Sequence, residues 1–291
     1  MKILGFLVAA VAIATPVHGH DVIESEPLTI GTSYLVNTHD ADRKVHVVTP
    51  QGYDAGEEAY PIIVMLDAGL KQDFFLTLGM ERWNQLWQRS APAIFVGVET
   101  VDRQRELLPP TSTLGERERY PMAGESEAFR EWISSEILPM IRERYRVDGR
   151  AFLIGESAAG HFVVETWVSA PSLFDGYAAL SPSLQWNGQQ LSRQFAEMAE
   201  SKRPPLYISL ANEGGETEEG ITRLVTNVRS DMCYSDRRND LVHANTLHGL
   251  LPEALQYLLP SEADWLEEYG LTPRCEANRV QPVAERQLRG R

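Results

Sequence analysis

A serine set between small residues, where a short apolar stretch runs into a helix-like one, is the most chemically loaded point of this chain: Phe152-Leu153-Ile154-Gly155-Glu156-Ser157-Ala158-Ala159-Gly160-His161. Such a serine occupies a tight strand-to-helix turn, the nucleophile elbow, and small neighbours are needed because strand and helix backbones crowd together there. The helix that follows aims its unpaired first-turn amides at the reaction centre, so the chemistry served is acyl transfer through a covalent serine ester. The usual spacing is Gly-x-Ser-x-Gly; here Ala159 stands at the last position and Gly160 comes one residue late.

A serine hydroxyl is a poor nucleophile until a base takes its proton, and at an elbow of this kind the chain order is serine, acid, histidine. His248-Gly249 lies between the apolar run 240–246, which has strand character, and the helix-like stretch 250–259. That position places His248 on a loop over the end of a last strand and makes it the expected base. His243 falls inside the run and is expected to be structural. His161, four residues after Ser157, is expected to point away from the reacting face and to pack or cap. The orienting acid is expected just past the apolar run 206–210, with Glu213 first and Glu216, Glu218 and Glu219 as substitutes. Asp231, Asp236 and Asp240 rank lower, and a Ser/His pair without an acid stays open. Donors for the oxyanion are expected at the amide of Ala158 and at Ala68 or Gly69, which directly follow the apolar run ending at Leu66.

These groups need a scaffold. Residues 34–38 and 43–49 have the character of early strands, the second alternating through Val45 and Val47. Continuous apolar runs of strand length follow at 61–66, 93–98, 151–154, 177–180 and 206–210, as expected of parallel strands covered on both faces. Helical patterns lie between them at 74–88, at 125–145 through Phe129, Trp132, Ile133, Ile137 and Ile141, and at 161–169. Alternation of this kind predicts an α/β fold, a mostly parallel sheet flanked by helices, with ligands gathered at the carboxyl ends of the strands. The acidic, glycine-rich stretch 214–220 is expected to be an exposed loop. A short helical pattern is expected at 263–269, and a loosely ordered end from Asn278.

The 291 residues, 43% hydrophobic and 9% aromatic, suffice for one sizeable core. Met1-Lys2, the apolar run 3–14 and Thr15-Pro16-Val17-His18-Gly19 form a secretory signal pattern with a cut ahead of His20. The expected organisation is a signal peptide over 1–19, a catalytic domain over 20–260 and a tail over 261–291, the mature protein being periplasmic or secreted without stable membrane insertion. Two cysteines, Cys233 and Cys275, suit one disulfide in an oxidising compartment, tying the tail to the body; two separate buried thiols are the alternative. Neither cysteine has metal-ligand spacing, and no metal is expected. A formal net charge of −14 argues against nucleic acid as a partner.

Several segments resemble the putative esterase family of α/β hydrolases, the group of enterochelin-type siderophore esterases, esterase D and mycolyltransferases. Leu66-Asp67-Ala68-Gly69 resembles the family's Leu-Asp-Gly, and Arg103-Gln104-Arg105-Glu106-Leu107-Leu108-Pro109-Pro110 its Arg-x-Arg-Asp-x-x-Pro-Pro. Residues 142–161 resemble its helix, strand and elbow. Ser181-Pro182-Ser183-Leu184-Gln185-Trp186 is similar to the Ser-Pro-Ser-x-x-Trp of the siderophore branch, and His248-Gly249 to its His-Gly-Ser. The chain departs from that pattern at Glu156, where His is usual, at Ala159 for Gly, and at Leu250 for Ser. The resemblance implies an α/β-hydrolase fold, an acyl-enzyme, a small-molecule ester substrate and no metal or organic cofactor. Arg103, Arg105 and Trp186 are expected to line the cleft, the guanidinium groups against an anionic substrate and the indole against an aromatic ring. An acyltransferase on the same scaffold and an exported, non-catalytic binding protein are the competing readings.

Overall fold

The computed structural model describes residues 24–37, 41–198 and 202–276, and Gly31 opens the compact unit. The signal pattern over 1–19 and the chain end from Asn278 lie outside the described residues. Eight strands form one sheet: β1 (Thr32–Asn37), β2 (Asp42–Val48), β3 (Tyr60–Met65), β4 (Ile94–Val98), β5 (Val147–Glu156), β6 (Gly176–Leu180), β7 (Leu206–Leu210) and β8 (Met232–Asp236), in the order β1-β2-β4-β3-β5-β6-β7-β8. The pairs β1/β2 and β2/β4 are antiparallel, and every later pair is parallel. The helices are α1 (Phe74–Leu86), α2 (Arg103–Leu107), α3 (Leu114–Arg119), α4 (Ser126–Trp132), α5 (Leu138–Arg144), α6 (Ala158–Ser169), α7 (Trp186–Glu197), α8 (Gly215–Asn227) and α9 (Thr246–Leu258).

Strand side chains alternate between two cores. Ile62, Val64 and Leu66 of the β3 segment pack with Phe129, Ile133, Phe162, Ile221 and Leu224 on one face, whereas Ile63 and Met65 pack with Phe74, Leu78, Leu250 and Leu255 on the other. The continuous apolar runs are thus explained by burial on both faces. From β3 the chain steps outward to β4 and then returns past β3 to β5, so the switch point of the sheet lies between the carboxyl ends of β3 and β5. The Asp67 turn and Ser157 both follow strand ends that meet at that point.

Four elements differ from the sequence reading. The last strand is β8, not 240–246, which instead forms a loop and a 3-10 turn at His243–Asn245. The stretch 214–220 mostly belongs to α8, whose buried Ile221, Leu224 and Val225 carry a helical stripe behind a glycine start; Gly214 sits at φ 67°. The long helix over 125–145 is split into α4 and α5 by a π turn at Ile133–Ile137, ahead of Pro139, which cannot donate a backbone hydrogen bond. Residues 263–269 form turns rather than a helix. A disulfide joins Cys233 of β8 to Cys275, and Glu276 donates its amide to Tyr234 O at 2.7 Å, so the described part of the tail is tied to the sheet edge. No helix of the described residues is long and apolar enough to cross a membrane.

Candidate active site

Ser157 sits between β5 and α6 at φ 59°, ψ −116°, a left-handed conformation that a non-glycine residue holds only under constraint. The constraint is local. Its amide donates to Leu180 O at 3.0 Å, and its carbonyl accepts from Ser183 N and His161 N, each at 2.9 Å. A Cβ on Gly155 would lie 2.6 Å from the carbonyl carbon of Ala159, so position 155 has to be glycine, while Ala159 finds room for its methyl in the core. Gly160 faces Pro182 Cα and Leu180 O, which explains why the second glycine of the motif comes late.

His243 Nδ1 and Glu213 Oε1 are 2.8 Å apart, joining the 3-10 turn to the loop after β7. Burial pushes the Glu213 carboxyl up, but the contacts from His243 and Ser181 outweigh it and hold the group below its ordinary value. Ser181 Oγ and Glu213 Oε2 are both buried, and the Ser181 hydroxyl acts with His243 to hold the carboxyl down. The Glu213 contact raises the His243 imidazole above 6.5 against the opposing effect of burial, and the charge of Glu156, the residue just before Ser157, raises it further. With Nδ1–H engaged by the carboxylate, the neutral ring presents Nε2 as a free base. Ser157 Oγ lies 3.4 Å from Ser183 Oγ.

The other expected groups fall in different places. His248 is exposed on the surface of α9, because that helix begins at Thr246 rather than after Gly249; the acid meant to orient it is engaged by His243. The histidine that meets Glu213 is therefore His243 and not His248, a contact hidden from the sequence by the strand-like run 240–246. His161 is buried with Nδ1 3.0 Å from Ser183 O, a packing and tethering role as expected. Glu216 is exposed, Glu218 pairs with Arg238, and Glu219 accepts from Gln189. Asp231 accepts from Tyr257, Asp236 pairs with Arg238, and Asp240 with Arg237 and Arg274.

Ala158 opens α6, where first-turn amides have no carbonyl four residues behind them, so its N–H is available to an oxyanion. Neither expected second donor is available. The Ala68 amide donates to Val98 O at 3.0 Å, and that of Gly69 to Gln72 Oε1 at 2.9 Å. Arg103 remains at the switch point: it pairs with Asp67 at 2.5 Å, reaches Glu156 O at 3.4 Å and is 36% exposed. The buried Arg43–Glu106 pair, at 2.8 Å, and the amides of Val101 and Asp102 on Glu106 anchor α2 beneath it. Arg105 points instead to Glu125, 2.8 Å away. Trp186 is 4% exposed, donates its indole N–H to Pro109 O at 2.9 Å and lies against Tyr120, so it packs rather than offering an open stacking face. It also borders a cavity of about 310 Å³ with Pro109, Pro110, His161 and Gln190.

A strained serine at the carboxyl end of a central parallel strand, followed by a helix N-terminus, within an eight-stranded sheet of this order, defines an α/β hydrolase. Residues 37–222 match the family described as "Putative esterase", and the chain belongs to that family. It is 27% identical over 204 residues to the ferri-bacillibactin esterase BesA of Bacillus subtilis (strain 168), covering 64% of this chain and 70% of that one. It is 25% identical over 203 residues to the siderophore triacetylfusarinine C esterase of Aspergillus fumigatus, covering 60% and 65% respectively. An IroE-like serine hydrolase from Shewanella oneidensis shares the fold, with a TM-score of 0.69 at 20% identity over 79% of this chain and 80% of that one. The protein is a carboxylic ester hydrolase.

Proposed function

We propose that the protein hydrolyses siderophore-type esters through an acyl-enzyme on Ser157, with His243 as base and Glu213 as its orienting acid. The observation that carries the residue assignment is the Glu213–His243 contact of 2.8 Å, which fixes the imidazole so that Nε2 is the basic nitrogen. In the first half-reaction Ser157 Oγ attacks the ester carbonyl while its proton passes to His243 Nε2. The Ala158 amide and the α6 N-terminus stabilise the oxyanion, and the protonated imidazole returns the proton to the leaving alkoxide as the C–O bond breaks. Water then repeats the sequence on the acyl-enzyme, releasing the acid and restoring the serine. Glu213 stays ionised throughout and stabilises the imidazolium.

The siderophore class is supported by the names of the two related esterases and by the half-exposed Arg103 guanidinium, suited to an anionic catecholate or carboxylate. Export to an oxidising compartment is part of the same proposal, supported by the N-terminal pattern and by the Cys233–Cys275 disulfide. The test is steady-state turnover of p-nitrophenyl esters and a ferric siderophore ester by the wild type and three variants. Ser157→Ala and His243→Ala are expected to lose on the order of 10⁴-fold or more in kcat, as members of a unit that works together, with His248→Ala close to wild type. Loss in His248→Ala and retention in His243→Ala would restore His248 as the base.

A further inference from the structure

The residue before Ser157 is Glu156, and its carboxylate does not face open solvent alone. Oε1 accepts from the Leu247 amide at 3.0 Å and from the Thr246 hydroxyl. Those are the first two residues of α9, whose first-turn amides need external acceptors and whose positive dipole end favours a carboxylate. The Thr246 hydroxyl also lies 2.9 Å from the carbonyl oxygen of His243. A continuous path therefore runs from the elbow through the Glu156 side chain to Thr246 and on to the backbone of the base. The same residue thus holds Ser157 through its peptide bond and the His243 turn through its side chain.

We propose that Glu156 is a positioning residue, a carboxylate strut that sets the distance and orientation of the His243 turn relative to the Ser157 elbow. The inference rests on the reading of Ser157 and His243 as nucleophile and base. It accounts for a feature of the sequence that the hydrolytic mechanism alone leaves idle, a carboxylate beside a serine that must react as an anion equivalent. The charged groups around the turn are few: His243 faces Glu213, Glu156 and Arg103, while Glu156 and Asp67 act on Asp73, whose carboxyl is raised by burial and by both neighbours against the pull of Arg103. Removing the Glu156 charge withdraws one of the influences that keep His243 protonated.

The experiment compares Glu156→Ala, Glu156→Gln and Thr246→Val, singly and in the Ala/Val double variant, using a p-nitrophenyl ester across pH. His243 is titrated in parallel by NMR of its ring C–H. Glu156→Ala is expected to lower kcat by about 10- to 100-fold with KM changed by less than about three-fold, the scale of a misplaced catalytic group. In the double variant the losses are expected to be far from additive, since both substitutions cut one path. Glu156→Gln retains an acceptor oxygen for Leu247 N and Thr246; it is expected to lose less kcat than the Ala variant, while the acid limb of the profile and the His243 titration both move to lower pH. Should Glu156→Ala not fold, Glu156→Gln and Thr246→Val carry the test. Wild-type kcat in these variants, additive losses, or an unmoved His243 titration would overturn the strut. Full turnover in Ser157→Ala or His243→Ala would instead overturn the catalytic reading beneath it.

Discussion

At the scale of single residues, the site turns on opposed shifts in one contact. His243 is raised above 6.5 and Glu213 lowered below its ordinary value, so the pair is doubly charged at mildly acidic pH. The two consequences have opposite signs. Because its folded value is raised, His243 contributes stability that is fully present below 6.5 and is lost as pH rises through that folded value; Glu213 contributes stability present above its unfolded value and lost as pH falls through its folded one. In the proposed mechanism His243 acts as the neutral imidazole, so turnover is expected to rise where the His243 contribution to stability is lost. The acid limb of the kcat/KM profile is expected to have its midpoint above 6.5 in the wild type. Glu213→Gln should move it to lower pH and cut kcat by about 10²- to 10⁴-fold, the range over which orienting acids act. A profile in the Gln variant that superimposes on the wild type would show that Glu213 does not govern the base.

At the scale of elements, the elbow is a packing problem solved by one glycine. β5 delivers Gly155 against the first turn of α6, and the added methyl of Gly155→Ala would meet Ala159 backbone at 2.6–2.7 Å, with no flexible side-chain end to give way. The substitution is expected to destabilise the fold by about 1–3 kcal/mol, the cost of overpacking, and to reduce kcat more than the loss of folded protein explains. Thermal unfolding monitored with activity per folded molecule checks this; a variant of unchanged Tm and kcat would mean that the turn relaxes without displacing Ser157. Ala159→Gly, by contrast, only empties space already filled by a methyl.

At the scale of the whole molecule, the C-terminal segment is joined to the sheet edge rather than appended to it. The Cys233–Cys275 bond closes a separation of 42 residues, which includes the 3-10 turn bearing His243 and all of α9. Cross-linking a loop of that size limits the unfolded chain and is worth about 2–4 kcal/mol. Reduction or Cys233→Ser is expected to lower Tm measurably in calorimetry, with the linked loop, and so activity, affected before the central strands. An unchanged melting curve under reducing conditions would show that the tail contributes nothing to the stability of the body.

Much was legible in the chain itself because it is written in local terms. Buried parallel strands need continuous apolar runs, an early antiparallel pair alternates, and an elbow needs small residues around its serine, so seven of the eight strands and the positions of the Ser157 turn and Glu213 could be placed from sequence. β8 could not: Met232–Asp236 is an edge strand of mixed polarity, defined by pairing with β7 rather than by its own pattern. The histidine was lost for a related reason. Residues 240–246 are apolar enough to suggest a strand, yet Asp240 and Leu241 close onto Arg237, Leu241 O accepts from Asn212, and Thr246 starts a helix under Glu156. Whether His243 or His248 meets Glu213 depends on which side of a helix start each falls, and at that boundary Thr246 and Leu247 donate to a carboxylate ninety residues earlier in the chain. The sequence by itself determined the fold class and the places of the Ser157 turn and of Glu213, through local patterns of burial and sterics. Tertiary structure alone decided which histidine meets Glu213, the engaged amide of Ala68, and the turning of Arg105 and Trp186 to structural partners, because each depends on a hydrogen bond or ion pair between segments distant in the chain that no local pattern encodes.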